Sequence, residues 1–192
     1  MRELSLHILD VLENALEAGA TEVELGIEED LSADRLTIAV RDNGRGMDAQ
    51  TARRALDPFF TTRTTRHVGL GLPLFAAAAE RCAGDLTLQS VPGQGTIVTA
   101  AFRHSHLDRA PLGDLTGTLL AFLLSGRSEP LRLIYHHYLD GRAFDLDTAA
   151  IRAELGEVPL SHPAVREWLH DYIAAGEAEL VSTQQGVAIE TS

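Results

Sequence analysis

Asp10 and Asn14 lie four residues apart in the run His7-Ile8-Leu9-Asp10-Val11-Leu12-Glu13-Asn14-Ala15. On a helix the two share one face. A carboxylate beside a carboxamide can polarise a water and ligate Mg²⁺, a hard ion that prefers oxygen; a solvated helix face is the alternative. A second group is Asp42-Asn43-Gly44-Arg45-Gly46-Met47. The Asp42 carboxylate only accepts hydrogen bonds, so it suits an exocyclic amine such as that of adenine. Gly44 and Gly46 let the backbone turn and approach a flat ring. The same residues also read as a β-turn rich in Asn and Gly. A third group, His67-Val68-Gly69-Leu70-Gly71-Leu72, precedes a helical pattern. Bare glycines at a helix start expose N–H groups to phosphate oxygens, and the helix dipole favours the anion. Two rival phosphate motifs fail here. A dinucleotide fingerprint needs a preceding strand and a third glycine where Leu74 stands. A Walker loop needs lysine, and all 16 Lys and Arg residues of the chain are arginine.

These groups need elements to hold them. Leu4, Ile8, Leu12 and Ala15, widened by Leu9 and Leu16, give residues 3–18 helical spacing, with Gly19 as a stop. Val23, Leu25 and Ile27 alternate with glutamates, and Leu36, Ile38 and Val40 repeat the pattern, so both stretches read as strands with one wet face. Asp48 can cap a short helix through Leu56. Residues 57–71 read as a long loop, and Leu72 to Cys82 as a helix with Pro73 in its first turn. Leu86 and Leu88 mark a third strand. A turn at Pro92-Gly93-Gln94-Gly95 returns the chain along Ile97 to Phe102. Hairpins with helices on one face predict a two-layer α/β sandwich, with residues 1–104 as one domain. Residues 105–192 read as a small α+β unit. It has helices over Asp114–Leu124, Asp147–Leu155 and Pro163–Glu177, and a hairpin turning at Asp140-Gly141. A short strand pair is expected over Val181–Glu190.

The chain has 192 residues and a net charge of −12. That surface repels phosphate backbones and anionic lipid, so neither nucleic acid nor membrane is an expected partner. No apolar run reaches the ~18 residues of a membrane span, and no signal-peptide pattern opens the chain, so a cytoplasmic location is expected. The lone Cys82 reads as a buried reduced thiol. The pairs His104/His106 and His136/His137 are weak metal candidates without cysteine partners.

Taken in order, the pieces within residues 3–103 resemble the Bergerat ATP-binding fold of sensor histidine kinases, gyrase B, mismatch-repair ATPases and large heat-shock chaperones. The resemblance implies ATP and Mg²⁺ as cofactors. Asn14 resembles the N-box asparagine that holds Mg²⁺. Asp10 stands where the ATPase branches place a glutamate general base. Asp42 resembles the adenine-reading aspartate, with Gly44, Gly46 and Met47 behind the base. Phe59-Phe60-Thr61-Thr62 resembles the F-box of the kinases, and Gly69 and Gly71 the phosphate glycines. Gly95-Thr96 resembles the last box, whose threonine supports the adenine site. Residues 61–68 would form the ATP lid, with Arg63 and Arg66 as its cations. The implied nucleotide-contacting set also takes in Ala18, Phe60, Thr61, Thr62, His67, Val68, Leu70 and Leu72.

Three departures bear on function. Asp10 is one methylene shorter than the usual glutamate. No helix with a phospho-acceptor histidine precedes Asp10, and His7 reads as structural. The edge strand that often precedes the first helix in kinases is missing, which leaves an edge for the C-terminal unit or another chain. The expectation is a stand-alone ATP/Mg²⁺ protein acting as a regulatory kinase or switch on a partner protein. An ATP-hydrolysing switch of mismatch-repair type, a non-enzymatic ATP sensor and a homodimer stay open.

Overall fold

A computed structural model describes residues 3–57, 71–125 and 131–182. In chain order the elements are α1 (Leu4–Glu17), β1 (Glu22–Asp30), β2 (Arg35–Asp42), α2 (Ala49–Arg54), α3 (Gly71–Arg81), β3 (Asp85–Val91) and β4 (Gly95–Arg103). They continue with α4 (Leu115–Leu123), β5 (Arg132–Leu139), β6 (Arg142–Asp147), α5 (Thr148–Leu155) and α6 (Pro163–Ser182).

The strands form one sheet in the order β3-β4-β2-β1-β5-β6. Only β1 and β5 run parallel; the other neighbours are antiparallel. Alternation along each strand explains the layers. Val23, Leu25 and Ile27, Leu36, Ile38 and Val40, and Val98, Ala100 and Phe102 all point to one face. There they meet Leu4, Ile8 and Leu12 of α1, Phe75 of α3, Phe122 of α4 and Ile173 of α6 in a single core. Each such side chain withdrawn from water contributes about 1.5–3 kcal/mol. The opposite face carries Glu24, Thr37, Arg41, Gln89 and His136. The fold is therefore the expected two-layer α/β sandwich.

Local chemistry fixes the element ends. Asp48, Asp114 and Asp147 each cap a helix, accepting from the N–H groups of Thr51 (2.7 Å), Gly117 (2.7 Å) and Ala149 (2.9 Å). Asp140 and Gly141 both have positive φ, at 51° and 85°, which makes the β5–β6 connection a type I′ turn.

Residues beyond 104 join the same sheet and core. β5 occupies the edge of β1 that the sequence left open, pairing Glu22–Glu29 with Arg132–Leu139. The linker also straps α1: the N–H groups of Leu4 and Ser5 donate to Pro111 O (3.0 Å) and Leu112 O (2.8 Å). Buried polar groups lock α6 down. His137 sits between Glu177 (Nδ1, 2.8 Å) and Glu29 (Nε2, 3.2 Å), and Tyr135 donates to Glu177 at 2.7 Å. One expectation needs correction. Val181 and Ser182 belong to α6, because Ile173 and Leu180 keep its apolar stripe in the core; the rest of the expected strand pair lies outside the described residues. Among the described residues, no helix is long and apolar enough to cross a membrane.

Candidate functional site

Asp10, Asn14, the Asp42 loop and Gly71, the described members of the groups singled out in the sequence, lie along one side of α1. Asp10, Asn14 and Ala18 follow one another at four-residue steps and are all half-buried. Eight residues of helix separate the first from the last by about 12 Å. Each end of that row meets a glycine. A β-carbon on Gly71 would lie 3.0 Å from Asp10 Cβ, so the start of α3 rests against Asp10. A β-carbon on Gly44 would lie 2.8 Å from Ala18 Cβ and 2.9 Å from Asp42 Oδ1. Bare backbone at both places lets the two loops approach the row closely.

Asp42 ends β2, paired with Thr96 on β4 and Val23 on β1. Its Oδ1 accepts from Gly44 N–H at 2.8 Å. Burial pushes its pKa above the usual carboxylate value, against the pull of the Gly44 and Thr96 N–H groups. The loop that follows is pinned on three sides. Asn43 Oδ1 accepts from the N–H groups of Thr21 (2.8 Å) and Glu22 (3.0 Å), and its amide donates to Thr21 Oγ1 at 2.9 Å. Arg45 N–H donates to Ala18 O at 2.9 Å, and Gly93 N–H donates to Arg45 O at 2.7 Å. Gly46 has φ of +64°, and a β-carbon there would fall 2.0 Å from Val91 O.

Ser90 is the residue the sequence reading missed. Its hydroxyl donates to Gly95 O (3.0 Å), accepts from Met47 N–H (2.8 Å) and lies 2.9 Å from Thr96 Oγ1. A serine has one proton to give, so with that proton on Gly95 the Thr96 hydroxyl donates to Ser90. Thr96 then keeps its lone pairs for another donor. The available signal was a polar residue at an inward position of β3, after Leu86 and Leu88. Asn43 lay inside the hexapeptide, but its long-range clamp on Thr21 was not legible from spacing.

Leu72 lies in the first turn of α3. Phe60, Thr61, Thr62, Arg63, Arg66, His67, Val68, Gly69 and Leu70 lie outside the described residues. His7 is buried, and its ring stacks on Phe75 with centroids 5.0 Å apart. Burial pulls its pKa down to about 4, so it is a neutral packing residue between α1 and α3. The histidine pairs do not converge on a metal. His104 Nε2 meets Glu29 at 2.6 Å, and His136 pairs with Asp145. Among the described residues no group of three or more metal-ligating side chains forms.

The family described as histidine kinase-, DNA gyrase B- and HSP90-like ATPase matches residues 2–106. The chain belongs to this ATPase family. Similar GHKL-type proteins include the sensor protein kinase FleS of Pseudomonas aeruginosa, 45% identical over 92 residues, covering 48% of this chain and 23% of that protein. The signal transduction histidine-protein kinase AtoS of Escherichia coli is 33% identical over 93 residues, 48% of this chain and 15% of its own. The DNA mismatch repair protein MutL of Gemmatimonas aurantiaca is 30% identical over 141 residues, 68% of this chain and 21% of its own. The chain thus spans less than a quarter of the length of these relatives. Its GHKL domain is of the ATP-binding kind.

Proposed function

We propose that this chain binds ATP with Mg²⁺ along the Asp10–Asn14–Ala18 row and acts as a regulatory kinase or switch on a partner protein. The observation that carries the reading is the placement of Asp42, Thr96 and Ser90 at one end of the row and Asp10 with Gly71 at the other. Asp42 accepts the adenine amine and Thr96 presents lone pairs beside it, both held in place by the close approach of Gly44 to Ala18 and of Gly46 to Val91. The glycine start of α3 offers N–H groups to the phosphates.

The donor chemistry suits the ion. Asn14 presents a carboxamide oxygen, a hard ligand of the type Mg²⁺ accepts, and the bound ion would supply charge neutralisation at the phosphates. The chain has no lysine, and Arg63 and Arg66 are the cations proposed for the lid. Asp10 can take a proton from an attacking water or hydroxyl, which makes it the proposed general base.

Calorimetry with ATP and ADP, with and without Mg²⁺, tests the binding reading. Mg²⁺-dependent ATP affinity supports it, and no heat with either nucleotide overturns it. Labelled ATP then separates the classes. Label on an added partner protein supports a kinase. Phosphate release without a phosphoprotein favours a hydrolytic switch, a reading supported by the similarity to MutL over 68% of the chain.

A further inference from the structure

Far from the nucleotide row, the sheet ends at β6, whose outer edge pairs with no described strand. The type I′ turn makes Leu139 and Arg142 a hydrogen-bonded pair. The alternation of an antiparallel ladder then directs the amides of Phe144 and Leu146 toward β5 and those of Ala143 and Asp145 toward the free edge. That edge holds no proline and is continuous over six residues.

α6 overhangs it. Gly176 sits directly on Phe144 of β6; a β-carbon there would lie 2.3 Å from the ring. One turn earlier the Tyr172 ring meets Phe144 at a 57° tilt, with centroids 5.6 Å apart. Trp168 then stacks on Tyr172 at 5.2 Å and 13°. Yet Trp168 and Tyr172 are 48% and 41% exposed. Two large rings thus project on the β6 flank of α6, at the level where the next strand's inward side chains would pack. Three carboxylates are exposed nearby: Asp145 on the opposite sheet face, paired with His136, and on α6 Asp171, 3.1 Å from His170, and Glu179, whose carbonyl accepts from Arg142 at 3.3 Å.

We propose that the free edge of β6, overhung by Trp168 and Tyr172, accepts an extended basic segment of a partner protein as a seventh strand. Backbone bonds to Ala143 and Asp145 supply register, alternate apolar side chains fill the space under the rings, and the intervening cationic side chains lie on the opposite sheet face, the face that carries Asp145. Charge selects this occupant over a second copy, which would bring its own −12 surface to the same carboxylates.

Trp168 is the only tryptophan in the chain, so its fluorescence reads the event directly. The full chain is titrated at 150 mM salt with a capped octapeptide alternating Arg and Val, with its Glu/Val counterpart, and with an Arg/Val version N-methylated at alternate amides. A saturable blue shift with the first peptide alone is expected, weakened at least tenfold by Ala143→Pro but not by Ala143→Thr. Equal titration by the N-methylated peptide overturns the proposal, because charge alone would then explain binding. No response to the Arg/Val peptide overturns it, as does a blue shift that follows protein concentration without peptide. If Ala143→Pro fails to fold, the N-methylated peptide still decides.

Discussion

Asp42 and Gly95 meet backbone to backbone: a β-carbon on Gly95 would fall 1.9 Å from the carbonyl oxygen of Asp42. The β3–β4 turn is therefore pressed onto the end of β2, and side chains at its tip have fixed neighbours. Gly46 stands in the same relation to Val91. Gly46→Ala should destabilise the fold by about 2–4 kcal/mol, since the added methyl meets backbone that cannot move aside. Gly93 is the internal control. It has φ of +75° but nothing within 4 Å of a β-carbon, so Gly93→Ala should cost only about 1 kcal/mol. Urea denaturation of the two variants checks the contrast.

Asp42→Asn should separate stability from binding. Burial raises the Asp42 pKa, so the folded state resists its charge. A carboxyl of this kind contributes stability below its unfolded pKa and loses it as pH rises through the higher folded value. At pH 7 the neutral amide should raise the denaturation midpoint of the free protein. Losing the charged acceptor should weaken ATP binding about 10–100-fold. Calorimetry and denaturation on one preparation measure both signs.

Ser90→Ala removes the acceptor of Met47 N–H and the partner of Thr96. An orphaned donor of this kind costs about 1–3 kcal/mol. Nucleotide affinity should fall as well, because Thr96 loses the group that orients its hydroxyl. Ser90→Thr keeps the oxygen and should restore most of the affinity in the same titration.

The lock on α6 should be alkali-sensitive. Burial pulls the His137 pKa down, but bonds from Glu177 and Glu29 outweigh it and lift the value to about 9. Both ring nitrogens face carboxylates, which requires the imidazolium. The stabilisation is full below the unfolded value of 6.5 and fades as pH rises toward 9. Glu29 adds the acid side: burial opposes its charge, yet the bonds from His137 and His104 hold its pKa below the usual value. Its contribution is present above the unfolded value of 4.5 and is lost as pH falls through the folded one. Urea midpoints should drop from pH 6 to pH 9.5 in the native chain and change less in His137→Gln. His137→Leu strands two carboxylates and should cost about 3–5 kcal/mol at pH 6.

Periodicity made most of the fold legible. The inward rows of α1, β1 and β2 are visible as spacing, and Asp48, Asp114 and Asp147 stand where caps belong. Positions set by long-range contact were not legible. Gly176 is a notch for Phe144, which its spacing in the expected Pro163–Glu177 helix did not show, and α6 runs on through Ser182. Nothing local tells β5 to lie parallel to β1, because that choice depends on which edge the first half leaves bare. In the site, Asp42 and its glycines were visible as turn chemistry and family pattern. Ser90 was not, because its importance comes from a neighbour across the ladder.

The strap on the first turn of α1 gives the polypeptide no clean place to be cut. Severing it after residue 104 would leave the N–H groups of Leu4 and Ser5 without Pro111 and Leu112 to receive them. It would also uncover the outer rim of β1 from Glu22 to Glu29. The helix that carries Asp10 and Asn14 is thus anchored at its first turn by Pro111 and Leu112, residues far downstream in the chain.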